Sequence, residues 1–174
     1  MKIDQISLII TDCDGVLSDG KVIYGSDGSE LKNFSAKDGL GIRLLGYTDI
    51  KIAVITGRSS EALIRRCSDL RISLLFQKIH NKKKCAEKLL NDLGLKWENT
   101  AVIGDDWNDY PILHRAALSA APADAPSDLQ DKVDLVTSKP GGAGAVRELI
   151  EYIIKAKGVY EQTIRQFIND LENS

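Results

Sequence analysis

The chain has 174 residues, of which 43% are hydrophobic and 28% charged, and its formal net charge is −2. This composition is typical of a globular protein with a buried core, and the length predicts one domain over 1–174. The 23 basic and 25 acidic residues nearly balance. The composition therefore implies no broad basic field, and we expect no nucleic-acid partner.

The cysteines and the apolar runs indicate the cellular compartment in which the protein is expected. Cys13, Cys67 and Cys85 form no Cys-x-x-Cys pair, as is typical of free thiols in a reducing compartment. No apolar run approaches the roughly 20 residues that span a bilayer. The first residues, MKIDQISLII, include an acid and no cleavage pattern of a signal peptide. We therefore predict a cytoplasmic protein without a membrane partner.

Short apolar runs alternate with helical patterns along the chain. Periodicity predicts strands at 6–10, 51–56, 72–76, 100–104 and 117–121. It predicts helices at 39–47, 60–67, 82–93, 143–157 and 159–172. This alternation indicates an α/β fold, a Rossmann-like parallel sheet with helices on both faces.

The segment 21–34, KVIYGSDGSELKNF, interrupts this alternation. Its pattern of strand, glycine-containing turn and strand predicts a small β-hairpin outside the main sheet. A two-stranded ribbon exposes unpaired backbone groups, so the hairpin is either a plain surface feature or an edge for self-association. The pattern alone leaves both readings open.

Polar and charged residues follow several predicted strands. Ligands of parallel α/β sheets bind beyond the carboxyl ends of the strands, and we therefore expect these residues to converge on one edge. Lys82 joins them because it begins the apolar stripe of its helix, which faces the sheet. The converging residues are Asp12, Asp14, Thr56, Gly57, Arg58, Lys82, Asp105, Asp106 and Asp109.

So many carboxylates in one place need a cation. Two like charges about 4 Å apart repel by roughly 4 kcal/mol at an effective dielectric constant near 20. Carboxylate oxygens in loops suit Mg²⁺. Such a site fits the hydrolysis of phosphate esters. We expect Asp12 to attack phosphorus, and Asp14 to protonate the leaving oxygen and then activate water. Lys82, Thr56 and Mg²⁺ bind the phosphoryl oxygens.

Four motifs carry a family resemblance. DCDGV, beginning at Asp12, resembles the D-x-D-G-[VT] signature of the haloacid-dehalogenase superfamily of phosphatases. ITGR, Lys82 and GDDWND resemble its second, third and fourth motifs, in the same order. The resemblance implies Asp12 as nucleophile and Asp14 as general acid and base. It implies Mg²⁺ held by Asp12, the backbone carbonyl of Asp14 and Asp105, with Asp109 usually behind them.

The resemblance extends over nearly the whole chain to a capless group within this superfamily. Members of that group hydrolyse phosphate monoesters of eight-carbon or nine-carbon keto-sugar acids, and they form homotetramers through the hairpin. The resemblance implies a sugar-phosphate substrate, with Gly57 at the phosphate and Lys37, Arg58 and Arg147 near the sugar. This chain has Lys37 where the group often has Arg, and Lys78 where it usually has Gly.

Two further interpretations remain. Similar domains serve as non-catalytic tetramerisation units, although this chain retains both Asp12 and Asp14. The glycine-rich segment GGAGAVRE, at 141–148, precedes a helix and is a possible anion site.

Overall fold

The computed structural model describes residues 3–173; residues 1, 2 and 174 of the predicted domain lie outside them. Its main feature is a sheet of six parallel strands, in the spatial order β5-β4-β1-β6-β7-β8. The strands are β1 (Leu8–Thr11), β4 (Lys51–Ile55), β5 (Leu74–Phe76), β6 (Thr100–Ile103), β7 (Leu118–Ala121) and β8 (Leu135–Val136). A separate antiparallel pair consists of β2 (Ile23–Tyr24) and β3 (Glu30–Leu31).

Seven α-helices are described within residues 3–173. They are α1 (Ala36–Leu44), α2 (Glu61–Asp69), α3 (Lys82–Leu93), α4 (Tyr110–Leu113), α5 (Ser127–Gln130), α6 (Ala145–Ala156) and α7 (Tyr160–Glu172). No helix in this part of the chain has both the length and the hydropathy to cross a membrane. The predicted α/β class and the five predicted strands are confirmed.

The elements that differ from prediction are short or weakly amphipathic. α4 and α5 have four residues each and β8 has two, too few to show a period. α1 begins three residues before its predicted start at residue 39. Its first turn lacks an apolar stripe, and the helix begins there because the Ser35 hydroxyl accepts hydrogen bonds from the backbone N of Lys37 and Asp38.

The register of β1 with its neighbours β4 and β6 determines which residues lie together at the carboxyl edge of the sheet. Thr11, the last residue of β1, lies beside Val54 of β4 and Ile103 of β6. The residues that follow these three strands therefore emerge at one level on the carboxyl edge of the sheet.

Two apolar clusters cover the two faces of the sheet. Ile9 of β1 points into one cluster with residues of α1, α2 and α6, including Ile42, Leu63 and Ile150. Its neighbour Ile10 points into the other, with residues of α3, α4 and α5. This alternation along a strand is the pleat of the sheet, and it confirms the prediction of helices on both faces.

The predicted hairpin is confirmed in a shorter form. Ile23 pairs with Leu31 and Tyr24 with Glu30. The backbone N of Gly25 donates to the carbonyl of Ser29 at 2.7 Å and closes the turn. Apolar side chains on this ribbon are exposed: Val22, Ile23, Tyr24 and Leu31. Between β1 and β4 the chain forms only this hairpin, α1 and one 3-10 turn, which agrees with the expected lack of a cap domain.

Candidate active site

The loop after β1 presents two carboxylates to different surroundings. The backbone N of Asp12 still donates to the carbonyl of Ile103, so this residue is fixed by the sheet, and its side chain is buried. The loop then turns at Gly15, which has a φ of 83°. A Cβ at Gly15 would lie 2.0 Å from Oδ2 of Asp105. Only glycine therefore lets the loop and Asp105 approach so closely.

Lys82, the first residue of α3, reaches into the acidic cluster. Its Nζ lies 2.9 Å from Oδ1 of Asp12 and 2.6 Å from Oδ1 of Asp109. Its side chain is only 3% exposed. Burial opposes the charge of Lys82, but the carboxylates of Asp109 and Asp12 outweigh it and raise the pKa of the ammonium group. Lys82 is therefore a buried cation with two anionic partners, whereas Lys83 pairs with Glu87 nearer the surface.

The loop after β6 supplies the other acids. Asp105 follows Gly104 directly, and the backbone N of Asp105 donates to Oδ2 of Asp109 at 3.3 Å. Both carboxylate oxygens of Asp109 thus have partners, one in Lys82 and one in the loop. These contacts favour an orienting role for Asp109. Asp106 is exposed, and its Oδ1 accepts from the backbone N of Trp107.

Asp12, Asp105 and Asp109 form a cluster that fits a divalent cation. One carboxylate oxygen from each lies within 4.8 Å of the others. Burial, and next the charge of Asp12, raise the pKa of Asp105 and of Asp109 to about 7. Burial also raises the pKa of Asp12. Even beside the Lys82 ammonium these groups resist ionisation unless a metal ion is added, and the all-oxygen donor set is the one that Mg²⁺ prefers.

Thr56 follows β4 at the same edge of the sheet. Its hydroxyl is positioned by the backbone N of Arg58, which donates to Oγ1 at 3.5 Å. The loop after β5 braces this turn: the backbone N of Ile79 donates to the carbonyl of Thr56, and that of Lys78 to the carbonyl of Arg58. The Thr56–Arg58 turn is therefore held at both of its ends by the loop after β5, as a binding loop for phosphoryl oxygens needs.

Asp14 faces the hairpin rather than the acidic cluster. Nζ of Lys32 donates to its Oδ1, and the hydroxyl of Ser18 donates to the same oxygen at 3.4 Å. Nε of Arg58 lies 3.7 Å from its Oδ2. Lys32 also contacts Glu30, two residues earlier. Residues two apart in a strand share a face. The spacing of Glu30 and Lys32 could therefore have predicted from the sequence that these two side chains lie together.

Comparison with known proteins identifies the family of this chain. The model of the haloacid dehalogenase-like hydrolases matches residues 68–150. The 3-deoxy-D-manno-octulosonate 8-phosphate phosphatase KdsC of Escherichia coli K12 is 42% identical over 167 residues, which cover 96% of this chain and 89% of that protein. The chain belongs to the haloacid dehalogenase-like hydrolases.

Solved structures agree with this hydrolase fold. The crystal structure of 3-deoxy-D-manno-octulosonate 8-phosphate phosphatase from Moraxella catarrhalis, in complex with magnesium, phosphate and KDO, has a TM-score of 0.92 and 38% identity, and the match covers 95% of each chain. The cobalt-bound phosphatase from Haemophilus influenzae has a TM-score of 0.87 and 42% identity, covering 92% of this chain and 94% of that one.

In this hydrolase the residues predicted from the four motifs meet at one edge, but two predicted substrate residues do not join them. Nε of Arg147 donates to Glu151 at 2.8 Å, one turn further along α6. Lys37 is exposed on the first turn of α1, and its side chain has no hydrogen bond or ion pair with any of residues 3–173. Within residues 3–173 neither side chain is paired with a residue of the acidic cluster, and their contact with the sugar stays a prediction.

The glycine-rich segment before α6 differs from the anion site considered above. Oδ2 of Asp38 accepts from the backbone N of Gly144 at 3.0 Å, and Oδ1 accepts from that of Arg147 at 2.9 Å. The buried carboxylate of Asp38 thus fills the place of an anion at this helix N-terminus. The interpretation as a free anion site is wrong, because a residue 106 positions away supplies the negative charge.

Proposed function

We propose that the protein is a Mg²⁺-dependent phosphomonoesterase that hydrolyses 3-deoxy-D-manno-octulosonate 8-phosphate to the free sugar acid and phosphate. The observation that carries this proposal is the buried Asp12 carboxylate, in contact with Lys82 and beside Asp105 and Asp109. We infer the identity of the substrate from the relatives named in the preceding section, because 42% identity extends over 96% of the chain.

Asp12 and Asp14 divide the chemistry between them. An oxygen of Asp12 attacks phosphorus, and the bond from phosphorus to the sugar oxygen breaks with its electron pair on that oxygen. The sugar oxygen takes a proton from Asp14. A water molecule then gives a proton to Asp14 while its oxygen attacks the phosphorus of the aspartyl phosphate, which restores the Asp12 carboxylate and releases phosphate.

The surrounding residues hold the reacting groups. The Thr56 hydroxyl, the backbone of Gly57 and the Lys82 ammonium bind phosphoryl oxygens. Asp12, Asp105 and the backbone carbonyl of Asp14 would hold Mg²⁺, and Asp109 would orient this group through its contacts with Lys82 and the backbone N of Asp105. When bound, Mg²⁺ supplies positive charge against the phosphoryl oxygens and the clustered carboxylates. Arg58, 43% exposed at the rim, is available to the sugar acid.

The direct test is phosphate release from the eight-carbon ester beside the nine-carbon keto-acid 9-phosphates, with Mg²⁺ and with EDTA. We expect Mg²⁺-dependent release with a strong preference for the eight-carbon ester, which would place the enzyme in lipopolysaccharide precursor synthesis. Preference for a nine-carbon ester would move it to sialic-acid-type synthesis. Release from none would favour the non-catalytic tetramerisation unit.

We also propose that this single domain assembles as a homotetramer through the hairpin 21–34. The exposed apolar side chains of that ribbon, Tyr24 and Leu31 among them, support this proposal. Lys37 and Arg147 would then serve a site completed by a neighbouring copy.

Light scattering at micromolar concentration should give a tetrameric mass, which the double substitution Tyr24→Glu and Leu31→Glu should lower. Ile64→Glu, at an exposed apolar residue of α2, is the control, and a monomeric wild type would refute the proposal.

A further inference from the structure

Two cations and two carboxylates form a network between the hairpin and the loop after β1. Lys32 contacts Asp14 and lies 3.1 Å from Oε1 of Glu30. Nη2 of Arg58 lies 2.6 Å from Oε2 of Glu30, and its Nε lies 3.7 Å from Oδ2 of Asp14. Each carboxylate therefore faces both cations. The network joins β3 to the two catalytic loops, although the hairpin lies outside the main sheet.

Lys32 is the most buried member of this network. Its side chain is 1% exposed, whereas those of Asp14 and Glu30 are 20% and 18% exposed. A lysine ammonium is seldom buried so completely, because it loses its hydration. The loss is offset here by two carboxylate partners. A cation with a merely solubilising role has no need of this position.

The contacts of Lys32 fix where the Asp14 carboxylate lies. Asp14 and Asp12 are two residues apart, yet Lys82 contacts only Asp12 of the pair and Lys32 contacts only Asp14. The two carboxylates are thereby separated, each with its own cation. A proton-transferring group must lie within hydrogen-bonding distance of the leaving oxygen, so its orientation matters as much as its presence.

We propose that Lys32 is a positioning residue of the hairpin, which holds the Asp14 side chain in place so that its carboxyl group, when protonated, gives its proton to the leaving sugar oxygen. This inference rests on the proposed function. Glu30 assists by tying Lys32 to Arg58. The hairpin then contributes to the chemistry of its own chain, in addition to any role in assembly.

The chain offers a matched control at the other end of the same hairpin. Lys21 also forms an ion pair, with Asp19 at 3.3 Å, but its side chain is 73% exposed. Lys21→Met and Lys32→Met remove the same charge from the same hairpin. Only the second removes a partner of Asp14.

The experiment compares two esters in single turnover with Mg²⁺ present. Release of the sugar from 3-deoxy-D-manno-octulosonate 8-phosphate needs a proton on the leaving oxygen. Release of p-nitrophenolate from p-nitrophenyl phosphate does not, because the leaving anion is stable. Both signals report the first chemical step, before water enters.

Lys32→Met should slow release of the sugar by about 30-fold, as expected from a misplaced general acid, and leave release of p-nitrophenolate within about 3-fold. Half-saturation by the sugar phosphate should stay within about 2-fold of the wild-type value, so the loss falls on the rate. Lys21→Met should change none of these quantities. Lys32→Leu, which also removes both the charge and the donor, is the second variant if Lys32→Met does not fold, and we expect the same selective loss.

Equal losses on the two esters would overturn the proposal, because a general disturbance of the loop slows both. A sugar-release rate like that of the wild type in either folded variant would overturn it as well. A wild-type protein that releases neither leaving group would refute the proposed function itself, and the proposal for Lys32 with it.

Discussion

Nζ of Lys82 lies 2.9 Å from Oδ1 of Asp12. The cation that begins α3 is therefore in direct contact with the proposed nucleophile, inside a site from which water is largely excluded. We expect Lys82→Met to lower kcat by about 100-fold or more, because positioned cations contribute strongly to phosphoryl transfer. Initial rates with saturating Mg²⁺ test this.

Lys83→Met is the matched control for that variant. Lys83 is the next residue of the same helix, and it pairs with Glu87 at 3.7 Å, where both side chains are about half exposed. Surface pairs of this kind contribute little. Its kcat should match that of the wild type, and an equal loss in both variants would mean that the helix, not the Lys82 ammonium, is responsible.

The raised pKa values of Asp105 and Asp109, about 7 each, predict how stability of the metal-free protein depends on pH. Unfolded, these groups titrate near pH 4, so the folded state binds more protons between about pH 4 and 7. Their contribution to stability is therefore present below that range and is lost as the pH rises through it. With EDTA, Tm should be higher near pH 5.5 than near pH 8, by about 5 °C or more.

Mg²⁺ should reverse this trend. The ion would bind the ionised Asp105 carboxylate and favour the charge on the nearby Asp109, so it should raise Tm more near pH 8 than near pH 5.5. Differential scanning fluorimetry at both pH values, with Mg²⁺ or EDTA, gives the four numbers needed. An equal rise at both values would contradict a metal site built from these acids.

Lys78 has a φ of 58°, in the left-handed region that favours glycine. Replacement by glycine should relieve this backbone and stabilise the protein by about 1 kcal/mol, which corresponds to a rise in Tm of roughly 2–4 °C for a domain of this size. Lys88→Gly, on an exposed position of α3, should lower Tm instead, because it places glycine inside a helix. A fall in Tm for Lys78→Gly would show that the Lys78 side chain has stabilising contacts that outweigh the strain.

The sequence was most informative about functional residues that directly follow a strand. Asp12, Thr56 and Asp105 lie one or two residues beyond buried parallel strands, so the edge of the sheet brings them together in any fold of this class. Lys82 was predictable too, because its place on the apolar stripe of α3 directs it toward the sheet.

Contacts that depend on how distant segments pack were beyond pattern analysis. No periodicity reveals that Lys32 of the hairpin donates a hydrogen bond to Asp14. Nor does it reveal that the Asp38 carboxylate of α1 accepts hydrogen bonds at the N-terminus of α6. Both are tertiary contacts between segments that approach only in the folded chain. Arg147 is a different case. The family resemblance implies a substrate contact for it, which stays a prediction, and packing adds an ion pair with Glu151 one turn along the same helix.

The most direct test of the account is the turnover of Asp12→Asn with 3-deoxy-D-manno-octulosonate 8-phosphate and Mg²⁺, beside the wild type. The substitution keeps the shape of the side chain and removes the attacking carboxylate. We predict Mg²⁺-dependent phosphate release by the wild type and none by the variant, whose circular dichroism spectrum should match that of the wild type. Undiminished release by a folded Asp12→Asn protein would contradict the mechanism.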